Sequence, residues 1–229
     1  MTISKHIRIA TLGTTALLAA SANAGMTGNV YEVGYAWSGS TFGGTTSGYV
    51  VDLYLEFDSA GDILLNVYNF NDINIGASYY QALTAAGWAP NLQAGPFETD
   101  DAKAFDSFIA IGGVVADDGA GNPTQMAGNG VAVDPNFGGN TAAGPLANAG
   151  WYNGNPNNPI GTAGSELLVF MGRFSIEGSD GFSMIGSEGW ATFNEGIGTP
   201  GQQEAFTVVP TPGALALLGL AGLAGRRRR

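Results

Sequence analysis

The chain contains no cysteine, and its one histidine, His6, stands within the first ten of 229 residues. Cations are nearly as scarce. Lys5 and Arg8 lie near the start and Arg226, Arg227, Arg228 and Arg229 at the finish, which leaves Lys103 and Arg173 against 19 acids in the span from Glu32 to Glu204, a net −17. Without cysteine there is no disulfide, no thiol nucleophile and no thiolate metal site. An interior so short of positive charge opposes the phosphate contacts on which nucleic-acid binding depends. The same charge keeps the domain soluble and discourages contact with acidic polysaccharide unless divalent cations bridge the two.

The two ends are unlike the middle. Residues 1–24 carry Lys5, His6 and Arg8, then an apolar run over 9–22, then Ala22-Asn23-Ala24 before Gly25. A basic start, a short apolar centre and small residues at −3 and −1 are the parts of a secretory signal peptide, cut ahead of Gly25. The alternative is a retained N-terminal anchor. A run of about 14 residues makes a helix of only about 21 Å, against a hydrocarbon core of about 30 Å.

The other end reads Pro210-Thr211-Pro212, then a Leu/Ala/Gly stretch over 213–225, then the four arginines. The prolines hold the chain extended outside the apolar stretch. Gly219 and Gly222 would permit close helix contact. The arginines cross a bilayer at high cost, so they halt export on the cytoplasmic side. This order of parts resembles the PEP-CTERM sorting signal of Gram-negative bacteria, over about the last 20 residues. The resemblance implies recognition by an exosortase, a membrane-embedded processing enzyme, and delivery to the cell surface or the exopolysaccharide matrix after transient anchoring in the cytoplasmic membrane. The family usually has Glu between the two prolines, where this chain has Thr211. A permanent tail anchor is the alternative.

Between the signals, residues 25–207 suit one domain. Short aromatic and β-branched runs punctuated by glycine favour an all-β fold, expected as a Gly-rich sandwich of jelly-roll or immunoglobulin-like type. Tyr31, Val33, Tyr35 and Trp37 alternate on one face, as do Val51, Leu53, Leu55 and Phe57 on another strand. The turn over 58–62 predicts a hairpin with a strand over 63–70. A buried run over 105–115 is bent at Gly112 and Gly113. A strand over 167–177, with Leu168, Phe170, Phe174 and Ile176 on one face, predicts a second hairpin with residues 182–193. Residues 77–86 read as helix, with Gly87 as a C-cap. The stretch 117–159 holds 9 Gly, 9 Asn and 5 Pro in 43 residues and reads as one long irregular loop with a short periodic run over 131–133. There is no repeat at a fixed period.

Once His6 leaves with the signal peptide, the mature chain has no histidine. A Ser-His-Asp triad, a histidine base and a histidine-ligated metal are then excluded. No nucleophile elbow, P-loop or dinucleotide fingerprint occurs. Paired carboxylates from Glu166, Glu177, Glu188 and Glu195 are the one route to a glycosidase, and acids on solvated strands and turns account for them equally well. The reading is therefore non-enzymatic, without a cofactor. Asp100, Asp101, Asp117 and Asp118, with Asn122, are candidates for a structural calcium site, although no EF-hand pattern is present. Trp151 and Tyr152, flanked by Gly150 and Asn153, and also Trp88, are candidates to stack on carbohydrate, against the alternative of buried rings pinning the loop. The expectation is an exported surface or biofilm-matrix protein whose partners are an exosortase and an exopolysaccharide, the alternative being a secreted carbohydrate-binding module.

Overall fold

The computed structural model describes residues 25–41, 44–74, 78–81, 88, 99–112, 114–117, 123–125, 131–133, 146–153 and 159–213. The expected signal peptide, the sorting helix beyond Gly213, the arginine tail, Asp118 and Asn122 lie outside these residues. Among the described residues no helix is long and apolar enough to cross a membrane.

The domain is all-β. Its strands are β1 (Met26–Thr41), β2 (Gly44–Phe57), β3 (Ile63–Asn71), β4 (Phe108–Ile109), β5 (Val114–Asp117), β6 (Pro123–Gln125), β7 (Val131–Val133), β8 (Ala149–Asn153), β9 (Leu168–Glu177), β10 (Glu188–Asn194) and β11 (Gln202–Pro210), with one six-residue helix, α1 (Asp100–Phe105). The expected two stacked sheets are not formed. Nine strands make one mixed sheet in the order β4-β9-β2-β1-β11-β10-β3-β8-β7, nearly closed into a barrel. Trp151 on β8 donates its indole N–H to the Ala110 carbonyl just after β4, at 2.8 Å, and so ties the two ends of the sheet together. β5 and β6 form a separate small hairpin.

Both expected hairpins are corrected by this order. β2 and β3 follow one another through the turn at 58–62, yet β2 pairs with β1 and β9, and β3 with β10 and β8. β9 and β10 are likewise apart. The last strand, β11, fills the seam: it runs parallel to β1 and antiparallel to β10. A turn dictates that the chain reverses, and not which strand becomes the neighbour. Consecutive strands that do pair in the main sheet include β1–β2, with thirteen partnered positions from Met26↔Phe57 to Thr41↔Gly44, and β10–β11.

The barrel interior follows the alternation read from sequence. Val51, Leu53, Leu55 and Phe57 are buried together with Val30, Leu64, Val67, Phe70, Phe193, Phe206 and Val208. On β9 the expected face changes partway. A register irregularity between Leu53 and Tyr54 of β2 skips Met171, so Val169, Met171 and Phe174 enter the main core while Phe170 turns to a second cluster with Phe108 and Ala110. One extra residue reverses the facing of everything beyond it. Both faces of β9 are thereby covered, and its centre is buried without interruption over 169–172.

Ser78–Gln81, the described part of the expected helix, is not helical. The Tyr80 N–H bonds the Ser175 carbonyl, and Tyr79 is buried with its hydroxyl on Asp72. Tertiary contacts override local preference there. Three strands, β6, β7 and β8, fall among the described residues of the stretch expected as one long irregular loop. At the foreseen bend, Gly112 has φ 58°, and a Cβ there would strike the Ile160 carbonyl oxygen. Helix α1 begins with Thr99 as its cap, the hydroxyl accepting from Ala102 N–H at 3.1 Å.

Candidate functional site

Strand register brings an ordered polar and aromatic surface to the outside of β11, β10 and β3. Thr207, Glu188 and Asn71 stand opposite one another in one row, and Ala205, Trp190 and Tyr68 in the next on the same face. A third row is Gln203, Thr192, Asn66 and Tyr152, which reaches β8. Along β10 the inward residues Gly189, Ala191 and Phe193 are buried, so the period of two sends Trp190 outward. Trp190 is 44% exposed and Tyr152 is 46% exposed, high values for such large rings. Trp190 lies nearly parallel to Tyr68, at 6.4 Å between centroids and 26° between planes. Its other neighbour is the small Ala205, which leaves the indole face clear.

A groove of about 490 Å³ runs beside this pair, lined by Asn69, Asn71, Asn148, Glu188, Trp190 and Thr207 among others. Two of its asparagines adopt left-handed backbone, Asn69 with φ 50° and Asn148 with φ 51°. Asparagine tolerates that conformation better than most residues. The β3 registers with β10 and with β8 both shift around Asn69, which marks a bulge at the groove wall. Asn148 donates its backbone N–H to the Asn71 side-chain oxygen at 3.0 Å, and the Asn71 amide donates to the Asn69 carbonyl at 2.9 Å. These bonds join the two left-handed positions into one wall. The arrangement offers a flat apolar ring beside amides, a hydroxyl and a carboxylate, the mixture that suits a polyhydroxylated ligand.

The other candidate residues are dispersed. Trp151 is 1% exposed and packs edge-on against Phe70, so of the Trp151–Tyr152 pair only Tyr152 offers a face to solvent. Trp88 is buried against Tyr79. Glu188 and Glu195 bracket β10, and Glu166 and Glu177 bracket β9. At about 3.3 Å per residue each bracketed pair is separated by more than about 20 Å, against roughly 5–9.5 Å for a glycosidase pair. Glu177 accepts from the Thr46 hydroxyl, and Glu195 from the Gln202 amide at 2.6 Å. Among the calcium candidates, Asp101 accepts the Ser40 N–H at 2.8 Å and holds α1 to β1. Among the described residues no three acidic side chains gather as a metal set.

Two further polar centres escaped the sequence reading. Glu56 accepts from the hydroxyls of Thr27 (2.7 Å) and Tyr31 (2.9 Å) and the amide of Asn29 (3.1 Å), donors at alternate positions of β1. Burial works against its charge, but the three donors outweigh burial and hold its carboxyl below the usual range. Burial and the adjacent Glu56 push the Tyr31 hydroxyl up to about 12. On the second face of β9, Arg173 pairs with Asp52 and lies 5.7 Å from the Phe108 ring centre.

No protein-family model, curated protein or solved structure matches the chain.

Proposed function

We propose that this is an exported, non-enzymatic surface or matrix protein, processed through its PEP-CTERM-like signal by an exosortase-type enzyme, whose barrel binds neutral saccharide in the groove beside Trp190. The observation that carries the binding is the outward, half-exposed Trp190 stacked on Tyr68 above a wall of amides. The acidity of the domain favours a neutral sugar over a polyanion, because like charges repel. Export is supported by the chain's own layout. Pro210 is the last residue of β11, Thr211 bonds the Glu32 carbonyl, and Pro212 is exposed immediately beyond, so the motif begins at the end of the sheet and runs off it.

The exported protein and its Trp190→Ala variant are titrated with neutral and with acidic oligosaccharides. Binding of a neutral sugar that falls at least about tenfold in the variant, with an unchanged melting temperature, is the expected result, a stacked ring being worth about 1.4 kcal/mol or more. Equal binding by the variant overturns the groove assignment. Intact mass of the protein from membrane, surface-wash and medium fractions tests export separately. The expected species starts at Gly25 and ends near Pro210–Pro212; one that keeps Arg229 and occurs only in membranes overturns the matrix role.

A further inference from the structure

At the end of the barrel away from the groove, the first described residue is built into the fold. Gly25 is buried, and its backbone nitrogen donates to the Asp58 carboxylate at 2.7 Å, while the Asp58 N–H returns a bond to the Gly25 carbonyl at 2.9 Å. Its φ of 151° and the Phe193 ring, 3.1 Å from where a Cβ would sit, leave room for glycine and little else. Three neighbouring elements supply negative charge there. Asp58 and Asp62 come from the β2–β3 turn, Glu204 from β11, and Glu195 from the end of β10. Asp62 feels the charges of Asp58 and Glu195, and Glu204 that of Asp58. Asp62 is 1% exposed, and its Oδ2 has no hydrogen-bond partner among the described residues. Arg173, the cation whose side chain is described, is committed to Asp52 elsewhere. A buried nitrogen already aimed at a carboxylate thus stands in an acidic mouth with no cation among the described residues.

We propose that cleavage before Gly25 creates a cation there, so that the new α-ammonium pairs with Asp58, offsets part of the mouth's negative charge and stabilises the mature fold relative to the precursor. Hydrolysis of the Ala24–Gly25 peptide bond consumes one water and leaves a carboxylate on Ala24 and an amine on Gly25, which takes up a proton at neutral pH. One amide donor becomes three donors carrying a full charge, on an atom already 2.7 Å from its partner. This inference rests on the signal-peptide reading, and its test separates the two.

Full-length chain carrying Lys103→Arg is produced in an exporting bacterial host and recovered after export. Once residues 1–24 are removed, this variant has the α-amine as its only primary amine. Mass spectrometry reads the new terminus. The protein is then acetylated, which removes the charge, or reductively methylated, which keeps it, and a single modification is verified by mass. The expected result is a fall in melting temperature of about 2–4 °C on acetylation and little change on methylation. In a Lys103→Arg, Asp58→Asn background the acetylation effect should disappear. A Gly25 terminus with equal effects of the two reagents, or with an acetylation effect that survives Asp58→Asn, overturns the proposal and leaves the cleavage reading intact. A terminus elsewhere overturns the cleavage reading and the proposal with it. The two-reagent comparison needs no variant at Asp58, so it decides even where Asp58→Asn does not fold.

Discussion

Asp52 and Arg173 stand directly opposite each other on β2 and β9, joined by hydrogen bonds of 2.7 Å from Nε and 2.9 Å from Nη2. A third donor, Nη1, reaches the Ala104 carbonyl at 2.9 Å and fastens the end of α1 to the sheet. The side chains are 12% and 7% exposed. Removing one partner leaves the other charge uncompensated in a poorly solvated place. Arg173→Met should cost about 3–5 kcal/mol in urea denaturation, and adding Asp52→Leu should restore most of it. A single variant within about 1 kcal/mol of wild type contradicts the assignment.

Glycine is used for space on β2. A Cβ at Gly48 would meet the Ile176 carbonyl and the Phe105 ring, whereas at Gly181 the nearest atom is 4.0 Å away. Gly48→Ala should lose about 1–3 kcal/mol by overpacking, with Gly181→Ala within about 0.5 kcal/mol of wild type. Equal effects in thermal melts would contradict the contact argument.

The four tryptophans sort by environment. Trp88 and Trp151 are buried, Trp37 stacks on Phe105 at 3.8 Å, and Trp190 is open to solvent. Acrylamide should quench mainly Trp190, so Trp190→Phe should remove most of the quenchable emission. A saccharide seated in the groove should protect the same fraction. Undiminished quenching in the variant places the exposed indole elsewhere.

The carboxylates predict a pH profile of opposing sign. Asp62 and Glu204 are raised, by burial first and neighbouring charges second. Groups with a raised folded pKa stabilise fully below the unfolded value and lose that contribution as pH rises through the folded one. Glu56 is lowered, so its contribution is present above the ordinary carboxylate range and is lost as pH falls through its folded value. The melting temperature should therefore rise modestly from about pH 7 to about pH 5 and fall below about pH 4. Asp62→Asn should flatten the upper limb while leaving the acid limb. A variant profile that keeps the upper limb assigns it to other groups.

The alternation of Val51, Leu53, Leu55 and Phe57 named its inward face correctly, because a half-buried strand has to repeat every two residues. Strand neighbours were not legible. Nothing in β11 announces that it will lie beside β1, because that choice depends on the whole closed sheet, whereas its pairing with β10 is made through the short connection over 195–201. The bulge that moves Phe170 to the second cluster was hidden too: the extra residue, Met171, shows only in the register of β9 against β2. Trp190 was recoverable, since Ala191 and Phe193 on the inner face of one strand force it outward. Tyr152 was singled out for its loop setting, and it is exposed because it alternates with the buried Trp151 on β8.

The placement of β11 carries a consequence for how the molecule comes into being. The sheet's central seam is filled by the residues synthesised last in the domain, Gln202–Pro210, which fold back on the preceding strand β10 and must also meet β1, the strand laid down first. Until they arrive, β1 and β10 are bare edges, and no subset of strands emerging first can close the wall. A chain of this design stays unfinished for almost its whole length and completes itself in one late step, so folding should be slow, all-or-none and intolerant of C-terminal truncation.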